Sequence, residues 1–166
     1  MPNTWLPPAD YIATLPRATA YACLYFTDTD GRPFQLRATY RTELWQWPGG
    51  NMDPGETPWQ TAVRECREET GIVFEGEPRL IGTHFVSDRG EEWPANHIGF
   101  IFDGGVLSEE QLAGVVLDPD EHSEFRLLSL DEWEREMTPG SFARLAEIDR
   151  ARRVGTTVYV ESGVDL

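Results

Sequence analysis

The sequence predicts a single α/β domain in which a central mixed β-sheet carries helices on its faces. Three observations support this fold class. Strand-like and helix-like segments alternate along the chain, which is typical of layered α/β folds. The first two strand-like segments are separated by a short turn, so an antiparallel pair should accompany any parallel strands. The 166 residues, 40% of them hydrophobic, suffice for one ordinary core.

The N-terminal part of this sheet should contain three strands. Residues 18–26 are rich in Ala, Tyr, Leu and Phe, and the polar residues 27–31 are typical of a hairpin turn. Residues 34–40 are predicted as the returning strand. A short third strand over residues 44–47 should end at residues 48–50, because proline and two glycines do not extend a strand well.

The clearest helix begins at Pro58 and ends at Gly71. Proline is favoured at the first helical position, and glycine commonly ends a helix. Apolar residues between them recur at the spacing of one helical face, which is expected to pack on the sheet. This face contains Trp59, Ala62, Val63, Cys66 and Thr70.

The C-terminal half repeats the alternation of strands and helices. Capping patterns predict helices starting near Ser108 and Ser129, and a further helix is predicted over residues 142–152. The predicted strands are residues 79–86, 97–102, 124–128 and 157–160.

The charge balance excludes several classes of function. Twenty-nine acidic against 14 basic residues give a net charge of −15, which repels long nucleic acids and anionic membranes. All of the cations are arginine, so Schiff-base chemistry and the lysine of a phosphate-binding P-loop are both absent. A polyanionic substrate would therefore need metal ions as mediators.

The remaining composition indicates a cytoplasmic protein. Cys23 and Cys66 do not form the dense pattern of a secreted disulfide scaffold. No apolar stretch approaches the length of a membrane helix, and the N-terminus lacks the pattern of a secretory leader. We expect residues 1–16 to be an N-terminal extension of the domain.

Three glutamates on the predicted helix form a candidate metal site. Glu65, Glu68 and Glu69 fall within one arc of roughly 100°, separate from the apolar arc, so they should lie together at the rim of a cleft. Oxygen ligands of this kind select Mg²⁺ or Mn²⁺. Glu65 and Glu69 are like charges four residues apart, which predicts a compensating cation nearby. His84, His97 and His122 show no ligand spacing and are expected to be ordinary strand or loop residues.

One constellation of residues around these glutamates resembles a known family signature. The residues are Gly50, Glu56, Arg64, Glu65, Glu68, Glu69, Gly71 and Ile72. Their spacing is similar to the Nudix box, here residues 50–72, and Cys66 occupies a position that is usually aliphatic. The resemblance implies that residues 1–166 form a single Nudix hydrolase domain with a Nudix-like α/β/α sandwich fold. It also implies metal-dependent cleavage of a pyrophosphate bond.

The resemblance assigns roles to individual residues. Glu68 and Glu69 would be the principal metal ligands, and Glu65 would be a further ligand or the base that takes the proton of water. Arg64 would orient these acids by pairing with Glu56, although an exposed surface ion pair is the ordinary alternative. For Gly49 and Gly50, a bare backbone would let a carbonyl approach the metal, although a tight turn alone is the ordinary alternative.

A further acidic ligand is expected from a later loop. Glu121 and Glu124 are the candidates, and an exposed acidic loop is the ordinary alternative for both.

The substrate side of the site is less defined. Trp47 and Trp93, with Trp45, could offer stacking faces, and Arg37 or Arg41 could hold phosphate oxygens; each is also a common structural residue. The expected partner is a small nucleoside-diphosphate derivative, and a homodimer is left open. The alternative function is a nucleotide-binding regulatory domain without turnover.

Overall fold

The computed structural model describes residues 5–91 and 93–162, whose strands form two sheets. The strands are β1 (Ala18–Thr27), β2 (Phe34–Ala38), β3 (Trp45–Gln46), β4 (Gly49–Asn51), β5 (Leu80–Val86), β6 (Asn96–Val106), β7 (His122–Leu127) and β8 (Val158–Ser162). The helices are α1 (Pro8–Ile12), α2 (Pro58–Thr70), α3 (Glu109–Ala113), α4 (Leu130–Glu136) and α5 (Pro139–Val154).

The larger sheet is mixed, as predicted. Its strand order is β4-β1-β6-β5-β8. The pairs β1–β6 and β5–β8 are parallel, and the pairs β1–β4 and β5–β6 are antiparallel. A smaller antiparallel sheet has the order β3-β2-β7.

The side chains of β1 explain why helices cover both faces of the larger sheet. Ala22, Leu24 and Phe26 point to the face on which α2 packs, and they belong to one buried cluster. Cys23 and Tyr25 point to the opposite face and join a second cluster with residues of α4 and α5. A strand buried on both faces is continuously apolar rather than alternating. The predicted sandwich of helices around a mixed sheet is therefore confirmed.

Helix α2 has the boundaries that its end signals predict. Thr57 and Gln60 form a reciprocal capping box, and Pro58 occupies the first turn. Gly71 ends the helix in the left-handed conformation at φ 73°, which glycine adopts without steric cost.

The predicted hairpin between β1 and β2 is wrong. β6 and β4 occupy the two edges of β1, so no edge remains for β2. The turn instead carries the chain from the larger sheet to the smaller one, and a single bridge between Thr27 and Pro33 marks the crossing.

The prediction that the third strand ends the extended segment is also wrong. β3 is short, and residues 49–51 resume as the edge strand β4, where Gly49 pairs with Cys23. A Cβ atom on Gly49 would lie 2.3 Å from the carbonyl oxygen of Ala22. Glycine is needed here because β1 and β4 approach closely at this point.

The C-terminal elements follow the predicted order with small shifts of their ends. Ser108 and Ser129 cap α3 and α4, while α5 begins at Pro139, before the predicted start at residue 142. Helix α1 was not predicted, and residues 5–18 are exposed to solvent. Among the described residues, no helix is long and apolar enough to cross a membrane.

Candidate active site

A cleft of about 870 Å³ opens beside the edge strand β4. α2 and the loop before β7 contribute acidic side chains to its lining, while β1, β5, β6 and α5 contribute aromatic, histidine and arginine side chains. The acidic group contains Glu65, Glu69, Asp120 and Glu121. The second group contains Tyr21, His84, His97 and Arg144.

Arg64 ties the acids of α2 together. Its Nε and Nη2 atoms donate to the two carboxylate oxygens of Glu56 at 2.7 and 2.9 Å. Its Nη1 atom lies 2.8 Å from Glu65 Oε1 and 3.0 Å from Glu68 Oε2. One guanidinium therefore lies within 3.0 Å of three carboxylates, and it supplies the cation that the charge pattern of the helix requires.

Glu56 is fixed by its own set of donors. Its Oε2 atom accepts hydrogen bonds from the Thr61 hydroxyl at 2.7 Å and from the Asp53 backbone N–H at 3.1 Å. The hydrogen bonds from Arg64, with those from Thr61 and Asp53, lower the pKa of Glu56 to about 2. Glu56 is thus ionised at neutral pH and holds the guanidinium in one orientation.

Gly50 allows Glu65 to lie directly on the backbone of β4. A Cβ atom on Gly50 would be only 2.5 Å from the Glu65 carboxyl carbon. Burial raises the pKa of Glu65, and the hydrogen bond and charge of Arg64 oppose that shift. The glycine is therefore required by the approach of a carboxylate.

Glu69 lies at the bottom of the cleft and not at its rim, which corrects the sequence-based expectation. It is 3% exposed. Its Oε2 atom accepts a hydrogen bond from the Gly49 N–H at 2.7 Å, and its Oε1 atom lies 2.9 Å from His122 Nε2. Burial raises the pKa of Glu69. Burial also disfavours protonation of His122, but the hydrogen bond and charge of Glu69 outweigh it and raise the His122 pKa.

The loop after α3 covers the last turn of α2 and explains this burial. The backbone N–H groups of Val116 and Asp118 donate to the carbonyl oxygens of Thr70 and Glu69 at 2.9 and 3.1 Å. These bonds use carbonyls that the end of a helix leaves free. They also place the next residues of the loop against Glu69.

Glu121 reaches the acid cluster through this loop. Potential ligand atoms of Glu69, Glu121 and His122 all lie within 4.8 Å of one another. The structure thus places His122, expected to be an ordinary histidine, beside a candidate metal ligand. No spacing in the sequence marks it, because the contact depends on how the loop folds onto α2.

Other predicted site residues are divided between the cleft and its surroundings. Arg41, Trp47 and Trp93 line the cleft. Trp47 is only 5% exposed, so it offers little area for stacking. Arg37 and Glu124 lie outside the lining and pair with each other at 2.6 Å in the smaller sheet, where the charge of each is already compensated.

The exposure of Glu68 also differs from that of its neighbours. Its side chain is 50% exposed and is not part of the cleft lining. Glu65 and Glu69, at 15% and 3%, are the two α2 acids that face the cleft.

Several lining residues could not be found from the sequence. Tyr21 and Cys23 have the two-residue spacing that puts them on one face of β1, but nothing local shows that this face borders a cleft. His84, His97 and Arg144 come from three separate elements. Only the packing of those elements brings them together.

Comparisons with known proteins identify relatives of this arrangement. A family model described as NUDIX domain matches residues 16–147. The asymmetrical bis(5'-nucleosyl)-tetraphosphatase of Caenorhabditis elegans is 48% identical over 40 residues, which are 24% of this chain and 29% of that protein. The RNA pyrophosphohydrolase of Rhodopseudomonas palustris strain BisB18 is 55% identical over 31 residues, 19% of this chain and 18% of that protein. The matched stretches thus span less than a third of these two curated relatives.

A solved structure shows the same fold. The Ap4A hydrolase of C. elegans, in a binary complex, superimposes with a TM-score of 0.58 at 22% identity. The match covers 84% of this chain and 96% of that one.

Proposed function

Because the chain belongs to the NUDIX domain family, we propose that it is a hydrolase, dependent on Mg²⁺ or Mn²⁺, that cleaves the pyrophosphate bond of a nucleoside diphosphate linked to another moiety. The observation that carries this proposal is the acid cluster that faces the cleft. Glu65 and Glu69 are held there by Arg64, Gly49 and His122, and Glu121 lies beside them.

The donor set fits a hard divalent cation. Glu65, Glu69 and Glu121 offer carboxylate oxygens on one side of the cleft, and Gly50 adds a backbone that carries no side chain. Cysteine ligands are absent from the described cluster, and oxygen-rich sites of this kind favour Mg²⁺ or Mn²⁺ over zinc. Glu68 would join as a more exposed ligand. A bound cation would supply positive charge that stabilises the phosphate oxygens in the transition state.

The protein's own residues have separate tasks in this proposal. Glu65 acts as a ligand or takes the proton of the attacking water, and its contact with Arg64 fixes its position. Arg64 orients the acids and is itself oriented by Glu56. Trp93, which is partly exposed in the cleft, is the aromatic candidate for the organic part of the substrate, and Arg41 is a candidate for its phosphate oxygens.

The names of the relatives support a phosphoanhydride substrate. They are a dinucleoside tetraphosphatase and an RNA pyrophosphohydrolase. Since the two substrates differ, we propose the shared chemistry, a nucleoside-linked pyrophosphate, and restrict it to small molecules because of the net charge of −15.

A product screen tests this proposal. The purified protein, with Mg²⁺ or Mn²⁺, is incubated with nucleoside triphosphates, ADP-ribose, dinucleoside polyphosphates and nucleotide sugars, and products are separated by ion-exchange chromatography. We expect metal-dependent cleavage of at least one class, abolished by EDTA. Binding of a nucleotide without any turnover would overturn the hydrolase function and support the regulatory alternative.

Two further proposals concern the setting of the protein. A cytoplasmic location agrees with Cys23 and Cys66 being free thiols. A homodimer stays a prediction, and sedimentation velocity would decide it.

A further inference from the structure

Arg89 and Arg144 differ from the other arginines in how their charge is compensated, and Arg144 is the one of these two whose guanidinium contacts described aromatic and histidine side chains. In the described part of the chain, five arginines have no carboxylate oxygen within 4.0 Å, the limit for an ion pair: Arg17, Arg67, Arg89, Arg135 and Arg144. Arg17, Arg67 and Arg135 are exposed, so water compensates them. Arg89 and Arg144 are partly buried and line the cleft.

The neighbours of Arg144 hold its guanidinium without neutralising it. The guanidinium carbon lies 5.1 Å from the centre of the Trp47 ring. Its Nη1 atom lies 3.4 Å from His84 Nδ1, to which the Tyr21 hydroxyl also approaches within 2.7 Å. Its buried Nε atom has no hydrogen-bond partner among the described residues. None of these contacts brings a negative charge.

The protonation states of the neighbours keep them neutral. Burial, with the charge of Arg144, lowers the pKa of His84 to about 3, so its imidazole is uncharged at neutral pH. Burial raises the pKa of Tyr21 above its ordinary range, so its hydroxyl stays protonated.

The contacts favour one tautomer of His84. Because a guanidinium can only donate, the approach of Arg144 favours an unprotonated Nδ1, to which the Tyr21 hydroxyl donates. Nε2 is then protonated and donates to Ser162 Oγ at 2.6 Å. The imidazole is thus a fixed neutral anchor for the guanidinium.

A partly buried arginine without a counter-ion raises the free energy of the protein, and a bound anion would lower it. The acid cluster lies in the same cleft and gives the opposite charge. Cys23, Glu69 and Arg144 all line this cleft. A ligand in this cleft would therefore contact both a metal ion held by the acids and the guanidinium.

We propose that Arg144 binds phosphate oxygens of the substrate on the side of the cleft away from the acids of α2. This inference rests on the hydrolase function proposed above and adds a specificity residue to it. A planar guanidinium can donate two parallel hydrogen bonds to a phosphate, and the contact of Arg144 with the Trp47 ring restricts its position. Arg144 would therefore select substrates whose diphosphate reaches beyond the metal-binding acids, and would bind the ground and transition states alike.

The first test measures anion binding without turnover. Imidodiphosphate, a non-hydrolysable pyrophosphate analogue, is titrated with Mg²⁺ into wild type and three variants by calorimetry. We expect Arg144→Gln to raise Kd about tenfold, equivalent to ~1.4 kcal/mol, and to weaken the dependence of Kd on salt. Arg144→Lys should restore binding in part, since it keeps the charge without the fork.

Arg150→Gln is the matched control. Arg150 also lies on α5, but it is exposed and pairs with Glu147 at 2.7 Å outside the cleft. The control removes the same charge from the same helix, so it should leave Kd unchanged. Arg144→Met, which keeps an unbranched stem over Trp47, is the second charge-removing variant if Arg144→Gln melts early. The inference is overturned if folded Arg144→Gln or Arg144→Met binds imidodiphosphate with the Kd of wild type. It is also overturned if Arg150→Gln weakens binding as much as Arg144→Gln does.

Kinetics separate this inference from the function on which it rests. With a substrate found in the screen, Arg144→Gln should raise KM about tenfold and change kcat by less than about threefold. Turnover with an unchanged KM and Kd would overturn the role of Arg144 and leave the hydrolase standing. Binding that depends on Arg144 without any turnover would overturn the hydrolase function and leave the anion-binding role of Arg144 standing. Failure of wild type to bind imidodiphosphate overturns the anion site.

Discussion

Arg64→Lys is the substitution that best tests how the acid cluster is organised. The change keeps a positive charge but replaces a planar fork with one ammonium nitrogen. The fork contacts the two oxygens of Glu56 at 2.7 and 2.9 Å, Glu65 at 2.8 Å and Glu68 at 3.0 Å. A single nitrogen cannot meet all four oxygens in this arrangement, so Glu65 should lose its fixed position.

The structure allows two magnitudes to be compared. If Arg64 were only an exposed partner of Glu68, one turn away on α2, lysine would replace it at a cost below ~0.5 kcal/mol, about a twofold effect. Its side chain is 24% exposed, however, and most of its contacts lie on the buried side with Glu56 and Glu65. Misplacing a catalytic group by about 1 Å can cost up to ~100-fold in rate. We therefore expect kcat to fall at least about tenfold, or ~1.4 kcal/mol.

The assay is a steady-state comparison at saturating Mg²⁺ with a substrate found in the screen, and thermal melts are run in parallel. Arg67→Lys is the control, because Arg67 is exposed on the same helix and forms no ion pair among the described residues. It should leave kcat unchanged. If kcat of Arg64→Lys equals that of wild type, the orienting role is refuted, and Arg64 is only an ordinary surface ion-pair residue.

Three further predictions concern the same region. Glu69→Gln should abolish turnover while the protein still folds, because it removes a ligand charge but keeps the shape; full activity at ordinary Mg²⁺ would remove Glu69 from the ligand set. Cys66→Val should cost less than ~1.5 kcal/mol in the free energy of unfolding, since the fully buried thiol packs as a small apolar group; lost activity with an unchanged melting temperature would make the thiol functional. Gly50→Ala should reduce kcat with little change in melting temperature, because the new Cβ meets the movable Glu65 carboxyl. In Gly49→Ala the new Cβ meets the β1 backbone, so this variant should have a lower melting temperature. Equal losses of melting temperature in the two variants would contradict this distinction.

Local signals in the sequence predicted some elements well. The end signals of α2, at Pro58 and Gly71, act within one turn of the helix, so its bounds were confirmed. The resemblance likewise predicted that Arg64 pairs with Glu56, and the contact is present at 2.7 Å. Its role in catalysis stays a prediction.

Contacts between distant segments explain what was missed. The hairpin failed because β6, far along the chain, occupies an edge of β1. Glu69 is buried by a loop that binds the carbonyls at the end of α2, and a helical wheel contains no information about that loop. The sequence alone does not distinguish Arg37 from Arg144 as a candidate for binding phosphate. Only the packed sheets show that Glu124 already compensates the charge of Arg37.

The two free thiols become reactive through different motions of the folded protein. Cys23 lines the cleft at 2% exposure, and Cys66 lies in the core between α2 and β1 at 0%. Burial raises the pKa of each thiol to about 12, so a maleimide at neutral pH reacts only after the surrounding structure has moved aside. The labelling rate of Cys23 therefore reports how often the cleft opens, and a ligand bound in the cleft should lower this rate. The labelling rate of Cys66 reports how often α2 detaches from the sheet. One labelling experiment resolved by mass spectrometry therefore distinguishes local opening of the cleft from global unfolding.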